Sequence, residues 1–299
     1  MTHLNLTKRT RHADAAGGGA TADRDATARR TRSASASVWR RPATIAALIV
    51  LAVAVVAALF PALLATDDPV SGTATPLAPP SAENWLGTDA VGRDLYSRIV
   101  FGARHSLSGT VIAVALGLVV GTLVGLLAGT RGGWVDAVLM RGVDVLLSVP
   151  SLLVSLSVII ILGFGTVNSA IAVGVSSVAT FARLARSQVL KVAATDYVEA
   201  AFGSGGTRTQ VLVRHVLPNS LAPVIALAAV QFGSAILQLA TLGFLGYGAP
   251  PPTPEWGLII AEARDYIATS WWLTLMPGLA IVAVVLAANQ LSRALRKVL

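Results

Sequence analysis

The sequence predicts an all-α integral membrane protein with six transmembrane helices, and three observations lead to this prediction. Of the 299 residues, 54% are hydrophobic and only 13% are charged, whereas soluble domains carry about 25% charged residues. Six stretches are long and apolar enough to cross a bilayer, which takes about 20 residues at a rise of about 1.5 Å each. The cations are also distributed unevenly among the segments that join these stretches.

The first 41 residues are predicted to be a disordered basic tail. They hold nine of the 23 Lys and Arg residues and almost no large apolar side chain before Val38. Such a composition cannot bury enough apolar surface to offset the entropy lost on ordering. Since no aromatic residue is interleaved with these charges before Trp39, they favour a membrane orientation signal over nucleic-acid binding.

The six apolar stretches divide the rest of the chain. They are 43–65, 107–127, 134–162, 166–181, 221–245 and 272–288. The fourth is the least apolar, because it contains two serines and a threonine near its end. We therefore predict a first helix with an extracytoplasmic segment, a five-helix transmembrane domain and a short cytoplasmic C-terminus. These units cover residues 42–105, 106–293 and 294–299.

The distribution of positive charge predicts that both termini are cytoplasmic. Six crossings place the two ends on one side, and that side would receive 19 of the 23 Lys and Arg residues. The opposite side keeps Arg93, Arg98, Arg104 and Arg264. Because cytoplasmic segments of membrane proteins carry the excess of Lys and Arg, this bias sets the orientation of a multi-pass protein of the cell membrane.

The second apolar stretch carries a repeated glycine pattern. Gly117, Gly121, Gly125 and Gly129 recur at every fourth position. One side of this helix therefore has no side chains, so that the backbone of another helix can approach closely. The pattern predicts tight packing within a helical bundle and indicates nothing about function.

A polar, glycine-containing passage interrupts the apolar pattern at residues 196–219. Two pairs of residues in it have the spacing of a capping box, in which an N-cap and an N3 side chain each satisfy a free backbone N–H. The pairs are Asp196 with Glu199 and Thr207 with Gln210. Between them, the glycine-rich residues 203–206 predict the end of one helix and a sharp turn. We expect two short cytoplasmic helices, the second ending at Pro218.

The geometry of this passage fits two alternatives equally, a docking segment for another protein and a structured loop without a partner. The passage contains Glu199, Ala200, Ala201 and Gly205, followed by the run Arg214-His215-Val216-Leu217-Pro218-Asn219. These residues resemble the EAA loop of ABC-importer permeases, which places the coupling loop at about 184–217. In that family the short helix docks in a groove of a cytoplasmic ATPase and carries its closure to the transmembrane helices.

The EAA resemblance implies a role for each matching residue in coupling to the ATPase. Glu199 would act as a cap and polar contact, Ala200 and Ala201 as small docking surfaces, and Gly205 as the turn. The sequence departs from the family pattern after Ala201, because the family usually places helix formers where this chain has Phe202-Gly203-Ser204. Glycine costs roughly 1 kcal/mol of helix propensity relative to alanine, so we expect a shortened coupling helix.

Further motifs are WLGTD at 85–89, GRD at 92–94, SR at 97–98, GAR at 102–104, GWVD at 133–136, MR at 140–141 with Asp144, GYG at 246–248 and PEWG at 254–257. These motifs resemble the C-type permeases of dipeptide and oligopeptide importers. The resemblance covers about residue 39 to the C-terminus and implies a type I ABC-importer-like bundle. It also implies a second homologous permease, two cytoplasmic ABC ATPase subunits and an extracytoplasmic solute-binding protein. Peptides are the expected substrate, with nickel or other small solutes as the alternative.

The sequence lacks the motifs of nucleotide-binding, metal-binding and hydrolytic sites. There is no G-x-x-x-x-G-K-[ST] or G-x-S-x-G, and the four histidines are scattered. We therefore expect no catalytic residue, metal or cofactor in this chain, with ATP bound by partner subunits. A gradient-driven secondary transporter or channel is the alternative from another class, but it would need ionisable residues near mid-membrane, and the stretches offer none there.

Charged residues in the third stretch are candidates for supporting the coupling helix. They are Asp136, Arg141 and Asp144. Arg141 and Asp144 are three residues apart, so they share a helix face and could pair. The alternatives are that the charges stabilise the end of the helix or that they contact the loop around Glu199.

Three polar residues in the fifth stretch are candidates for the translocation path. Gln231, Ser234 and Gln238 lie on one helix face. They would either hydrogen-bond to a neighbouring helix or line a wet path that offers amide partners to a peptide backbone.

Overall fold

The computed structural model describes residues 41–295, and their regular structure is almost entirely helical. These residues contain one isolated bridge, between Thr88 and Asp94, and no longer strand pairing. The described part of the chain forms ten α-helices: α1 (Pro42–Leu59), α2 (Leu95–Arg131), α3 (Gly133–Ser148), α4 (Ser151–Leu162), α5 (Thr166–Ala193), α6 (Asp196–Gly203), α7 (Arg208–Val211), α8 (Leu217–Phe244), α9 (Trp256–Ala263) and α10 (Trp272–Leu295).

Six crossings of a membrane can be assembled from these helices. Five helical segments are long and apolar enough to span by themselves, and they contain α1, α2, α5, α7 with α8, and α10. Helices α3 and α4 are long and apolar enough to span only when they are taken together, and the angle between them is 99°. The all-helical membrane fold predicted from composition is confirmed, with five or six candidate crossings according to whether the bent pair forms one span.

The prediction of the third span as one continuous helix over 134–162 is wrong. Val149 has extended backbone angles, φ −95° and ψ 133°, and is followed by Pro150. Proline disfavours the helical conformation in the residue before it and lacks the N–H that a helix interior needs. The chain therefore turns sharply between α3 and α4, at a place where a hydropathy window reports only continuous apolar sequence.

The glycine stripe of α2 packs against α5, as its spacing predicts. A Cβ at Gly121 would lie 2.5 Å from the Cβ of Phe181 and 2.6 Å from the carbonyl oxygen of Val178. A Cβ at Gly125 would lie 2.7 Å from the Cβ of Ala185. Since close-packed carbon atoms are separated by about 3.5–4.0 Å, only glycine allows this approach. The contact between α2 and α5 is the most extensive between any two described helices.

Several predicted boundaries differ from those in the structure. The helix containing the second stretch begins at Leu95, where the Asp94 side chain accepts a hydrogen bond from the N–H of Ser97. The predicted division at 105/106 therefore falls inside α2. Likewise α5 continues to Ala193, beyond the apolar stretch that predicted it. The predicted disordered tail, apart from Arg41, and residues 296–299 lie outside the described residues.

The segment between α1 and α2 is held by buried ionic contacts at the end of the bundle opposite the coupling loop. The guanidinium of Arg98 is fully buried and donates to Glu262 at 2.7 Å and to the carbonyl of Pro69 at 3.1 Å. Arg93 donates to Asp89 at 2.6 Å. Buried charges are tolerated when they are paired in this way, and these contacts fasten the segment to α9.

Candidate functional site

The candidate coupling site is the segment formed by α6, the turn at 204–207 and α7, which we call the coupling segment. The capping box predicted for its second helix is confirmed: Thr207 accepts from the N–H of Gln210 at 3.4 Å, and the Gln210 side chain accepts from the N–H of Thr207 at 3.1 Å. Gly205 has φ 88°, a conformation that glycine adopts at little cost. The N–H of Gly206 then closes the turn by donating to the carbonyl of Ala201 at 3.1 Å.

The capping box predicted at the start of α6 is wrong. Thr195 is the N-cap, and no side chain caps the helix there. The hydroxyl of Thr195 donates instead to the carbonyl of Val192, at 2.5 Å. Asp196 and Glu199 both lie in the first helical turn, where negative charge interacts favourably with the helix dipole. Glu199 thus does not cap the start of α6, and its carboxylate is available to contact another group.

The second short helix does not end at Pro218, contrary to expectation. A five-residue π-helical turn, Leu212–Val216, joins α7 to α8, so that the helical path continues from Arg208 to Phe244. Pro218 stands in the first turn of α8, where its missing N–H costs little. The coupling segment is therefore continuous with the fifth membrane crossing.

One side of the coupling segment is buried and the other is exposed. Val198 and Val211 are each 1% exposed and belong to a small apolar cluster with Val189 of α5. Ala201 is half-buried against the same cluster. Glu199, Ala200 and Gly205 are exposed. The valines anchor the segment to the bundle, and its outer side remains accessible to a partner.

The carboxylates of α3 pair with α5. Asp136 receives two hydrogen bonds from the guanidinium of Arg186, one of them 2.6 Å long, and Asp144 receives one from Arg183 at 2.6 Å. The spacing of Arg141 and Asp144 allows a pair, but the structure does not form it, and Arg141 has no ion pair with any described residue. Both carboxylates thus bond to the helix that leads into the coupling segment, rather than to the loop around Glu199 itself.

We expect the pair of Asp136 and Arg186 to be worth more than the pair of Asp144 and Arg183. The first pair is two-pronged and its side chains are 20% and 33% exposed, whereas both members of the second are 59% exposed. Exposed pairs contribute about 0–1 kcal/mol, and a two-pronged contact between an arginine and a carboxylate is stronger than a single hydrogen bond. Asp136→Asn should therefore lower the thermal unfolding temperature of the purified chain clearly more than Asp144→Asn does.

A charge-exchanged variant provides the control for this prediction. Asp136→Arg combined with Arg186→Asp should recover part of the stability lost in Asp136→Asn, because it restores opposite charges across the same helix contact. Equal unfolding temperatures for the two single variants would show that the two-pronged pair does not hold α3 to α5.

The candidate path residues on α8 have different surroundings. The amide of Gln238 donates to the hydroxyl of Ser151 at 3.2 Å and accepts from the hydroxyl of Ser176 at 3.4 Å. Gln238 thus joins α8 to α5 and to the first residue of α4, beside the bend. Gln231 is half-buried and Ser234 is exposed, and their side chains have no hydrogen-bond partner among the described residues.

The two serines that bond to Gln238, Ser151 and Ser176, could not be recognised as its partners from the sequence. In the sequence, Ser176 only lowers the hydropathy of its stretch, and no motif includes Ser151. The one local indication of a role for Ser151 is its position directly after Pro150. A helix that begins there has backbone N–H groups without partners in the helix, and polar side chains are common beside such groups.

The GYG and PEWG motifs fold the loop between α8 and α9 around one carboxyl group. Glu255 is 4% exposed and accepts from the N–H of Ala249 at 3.0 Å. Its carboxyl group occupies the space where side chains at Gly243 and Gly248 would lie. Burial raises the pKa of Glu255, and the Ala249 hydrogen bond partly opposes this rise. The motif thus has a structural role at the end of the bundle far from the coupling segment.

Comparison with known proteins decides the family. Residues 121–299 match the family model described as "Binding-protein-dependent transport system inner membrane component". The chain belongs to this family. It is 39% identical, over 90% of its length and 88% of the relative's, to the dipeptide transport system permease protein DppC of Alkalihalophilus pseudofirmus.

Other relatives support the same assignment. The probable D,D-dipeptide transport system permease protein DdpC of Escherichia coli is 39% identical over 86% of this chain and 87% of its own. The glutathione transport system permease protein GsiD of Pectobacterium atrosepticum is 37% identical over 74% of this chain and 73% of its own. As a member of this inner membrane family, the chain is a multi-pass transport permease.

Solved structures of ABC transporters share the fold. An inward-facing structure of the MetNI methionine ABC transporter contains a chain that matches with a TM-score of 0.52 and 20% identity, over 66% of this chain and 96% of that one. A chain of an amino acid ABC transporter matches with a TM-score of 0.53 and 16% identity, over 66% of this chain and 91% of that one. The type I ABC-importer bundle implied by the sequence resemblance is thus confirmed as the fold.

Proposed function

We propose that this permease is a subunit of an ATP-driven, binding-protein-dependent importer of dipeptides or oligopeptides. The observation that carries the substrate class is the similarity to the dipeptide and glutathione permeases over most of both chains. These relatives favour peptides over nickel complexes or other small solutes. The family description, which names a binding-protein-dependent transport system, favours an importer supplied by a solute-binding protein over a secondary transporter or channel.

The proposed assembly contains a second homologous permease, two cytoplasmic ABC ATPase subunits that bind ATP, and an extracytoplasmic binding protein. One surface of the bundle has the composition expected of a contact with a second permease. Ser151 and Ser234 are exposed on membrane-crossing helices, and Gln238 is partly exposed near them. Polar side chains in a membrane face a partner or a water-filled cavity rather than lipid. A second permease on this surface would enclose a polar path between the two subunits.

We assign the coupling of ATP hydrolysis to Glu199, Ala200, Ala201 and Gly205, with both termini and the coupling loop at about 184–217 in the cytoplasm. Glu199 and Ala200 are on the exposed side of α6 and would contact the ATPase. Ala201 supports α6 from the buried side, and Gly205 makes the turn. None of them performs covalent chemistry, so their role is to receive force.

The helix connections suggest how that force reaches the membrane crossings. ATP binding would close the ATPase pair and move the coupling segment, which is joined directly to α5 and is continuous with α8. The pair of Asp136 and Arg186 links α5 to α3, and Gln238 links α8 to α4. Movement of the segment would thus reach both sides of the bend at Pro150 and convert an inward-open path into an outward-open one. The binding protein would then deliver peptide, and hydrolysis would reset the cycle.

Uptake by the reconstituted complex tests the proposed function. The permease, its second permease and both ATPase subunits would be placed in liposomes, with binding protein and a labelled dipeptide outside and ATP inside. We expect dipeptide uptake that needs both ATP and the binding protein. Uptake driven by an ion gradient without ATP would contradict the importer. ATP-driven uptake of nickel complexes but not of peptides would contradict the substrate class.

Replacing the polar face of α8 tests the path assignment of Gln231, Ser234 and Gln238. The double variant Gln231→Leu/Gln238→Leu should lower the rate of dipeptide uptake about tenfold, since each lost hydrogen bond to the peptide costs about 1 kcal/mol and about 1.4 kcal/mol is a factor of ten. Thr241→Val is the control, because the hydroxyl of Thr241 bonds only to the carbonyl of Leu237 in its own helix. Unaltered uptake in the double variant would remove the path assignment.

A further inference from the structure

An open cavity lies beside the coupling segment, between the ends of α2 and α5 and the helices α6 and α7. Its volume is about 440 Å³, and valines and leucines form much of its wall, among them Leu127, Val189 and Leu212. Two of the lining residues are charged, and both are arginines: Arg131, the last residue of α2, and Arg208, the first residue of α7. No described aspartate or glutamate lines it. The cavity therefore combines an apolar wall with positive charge.

A second cavity of about 440 Å³ continues the first along the outside of α3. The two share Leu127 and Arg131. The second is lined further by Trp134, which is 77% exposed, and by Val138, which is 61% exposed. Tryptophan is enriched where a membrane protein meets the boundary between lipid headgroups and hydrocarbon. An apolar track thus leads from Arg131 along a helix that enters the membrane.

The two arginines are not neutralised within the described part of the chain. The side chains of Arg131 and Arg208 form no hydrogen bond or ion pair with any described residue, and both are exposed. Their neighbours in the same region differ, because Arg183 and Arg186 are paired with carboxylates of α3. Two free guanidinium groups beside an apolar track match a ligand that has an anionic head and a hydrocarbon tail.

We propose that these cavities bind one anionic phospholipid. Its phosphate would lie between Arg131 and Arg208, and an acyl chain would follow Leu127, Trp134 and Val138. Basic pockets between membrane helices on the cytoplasmic side recognise anionic headgroups. The lipid is favoured over a carboxylate of the ATPase, because a subunit on the cytoplasmic face cannot cover the apolar track along α3.

The proposed lipid site touches the coupling segment. Val198 and Val211, which anchor that segment, also form part of the cavity wall. An occupied site would fill the space behind the segment and make its position depend on lipid composition. The binding site is independent of the proposed peptide substrate, but it rests on the proposed orientation, in which the coupling segment is on the cytoplasmic side of the membrane.

Lipid retention by the purified full complex tests this site. The complex would be reconstituted into nanodiscs of phosphatidylcholine with phosphatidylglycerol, and the lipids retained on release would be measured by native mass spectrometry. Arg131→Gln/Arg208→Gln should lower the affinity for phosphatidylglycerol about tenfold or more, as expected for two arginines at a membrane surface. Arg264→Gln/Arg293→Gln removes two exposed arginines that line neither cavity and should leave retention unchanged.

Three outcomes would overturn the proposal. The first is equal retention of phosphatidylglycerol by the wild type and the Arg131/Arg208 variant. The second is competition by glycerophosphate, which lacks acyl chains, as strong as that by phosphatidylglycerol, which would indicate a free phosphate site. The third is loss of the ATPase subunits from the variant with lipid retention intact, which would assign the arginines to the ATPase. Trp134→Ala should also weaken retention, because the acyl chain is proposed to lie against Trp134. Unchanged retention would contradict that placement.

Discussion

Replacing Gly125 with leucine is expected to prevent the chain from accumulating as a folded membrane protein. A Cβ at this position would lie 2.7 Å from the Cβ of Ala185 and 2.8 Å from the backbone nitrogen of Arg186. Overpacking a core costs about 1–3 kcal/mol when side chains can shift. Here part of the obstacle is the backbone of α5, so the two helices would have to separate along their most extensive contact. We expect the cost to exceed that range.

The measurement for Gly125→Leu is the amount of monodisperse protein extracted from membranes, read by size-exclusion chromatography of a fluorescent fusion. Gly142→Leu is the matched control, because Gly142 lies in α3 and a Cβ there would meet nothing within 4 Å. We expect a normal yield from the control and almost none from Gly125→Leu. Equal yields would mean that close approach of α2 and α5 is not essential to the fold.

Replacing Ala200 with tryptophan is expected to abolish ATP-driven uptake while the chain still folds and inserts. Ala200 is exposed on the outer side of α6, whereas Val198 beneath it holds the helix to the bundle. A bulky ring would therefore disturb a partner surface without disturbing the core. We expect uptake to fall by more than about tenfold, the effect of losing about 1.4 kcal/mol of interaction.

Ala137→Trp is the control for this variant, since Ala137 is an exposed alanine of α3 outside the coupling segment. Both variants should be extracted in equal amounts, and only Ala200→Trp should lose uptake. Transport at the wild-type rate by Ala200→Trp would contradict the assignment of the outer side of α6 to the ATPase.

Features set by local sequence could be predicted well. The apolar stretches located the five or six candidate crossings, because a membrane requires a minimum length of apolar helix. The glycine repeat of α2 indicated close packing because four-residue spacing places its members on one face. The capping box of Thr207 and Gln210 could be predicted because both residues lie within a single helical turn. In each case the cause and its effect are separated by only a few residues.

Features set by tertiary contact could not be predicted in the same way. Asp136 and Asp144 lie fifty and thirty-nine positions from the arginines that bind them, and no spacing rule connects them. The partners of Gln238 likewise come from two other helices. The bend at Pro150 has a local cause, the proline itself. It was not predicted because hydropathy is averaged over many residues, and a single proline changes that average little. At Asp196, the chain entered the helix one residue earlier than the capping pattern predicted.

The candidate site was predicted in part. The resemblance at 199–205 selected a segment that proves to be anchored by valines and exposed on its outer side. It did not show that Ala201 is half-buried while Ala200 is exposed, because that distinction depends on the packing of α6 against Val211. Nor could it show the continuity of α7 with α8, which depends on the π-helical turn before Pro218.

The most direct test of the account is a crosslink between the coupling segment and an ATPase subunit. The chain contains no cysteine, so Ala200→Cys introduces a single reactive thiol, and cysteine is small enough to preserve docking. In the assembled complex, a thiol-to-amine crosslinker should join position 200 to the ATPase, whereas the buried control Val198→Cys should not react. An assembled complex in which position 200 is never joined to the ATPase, with or without nucleotide, would contradict the account.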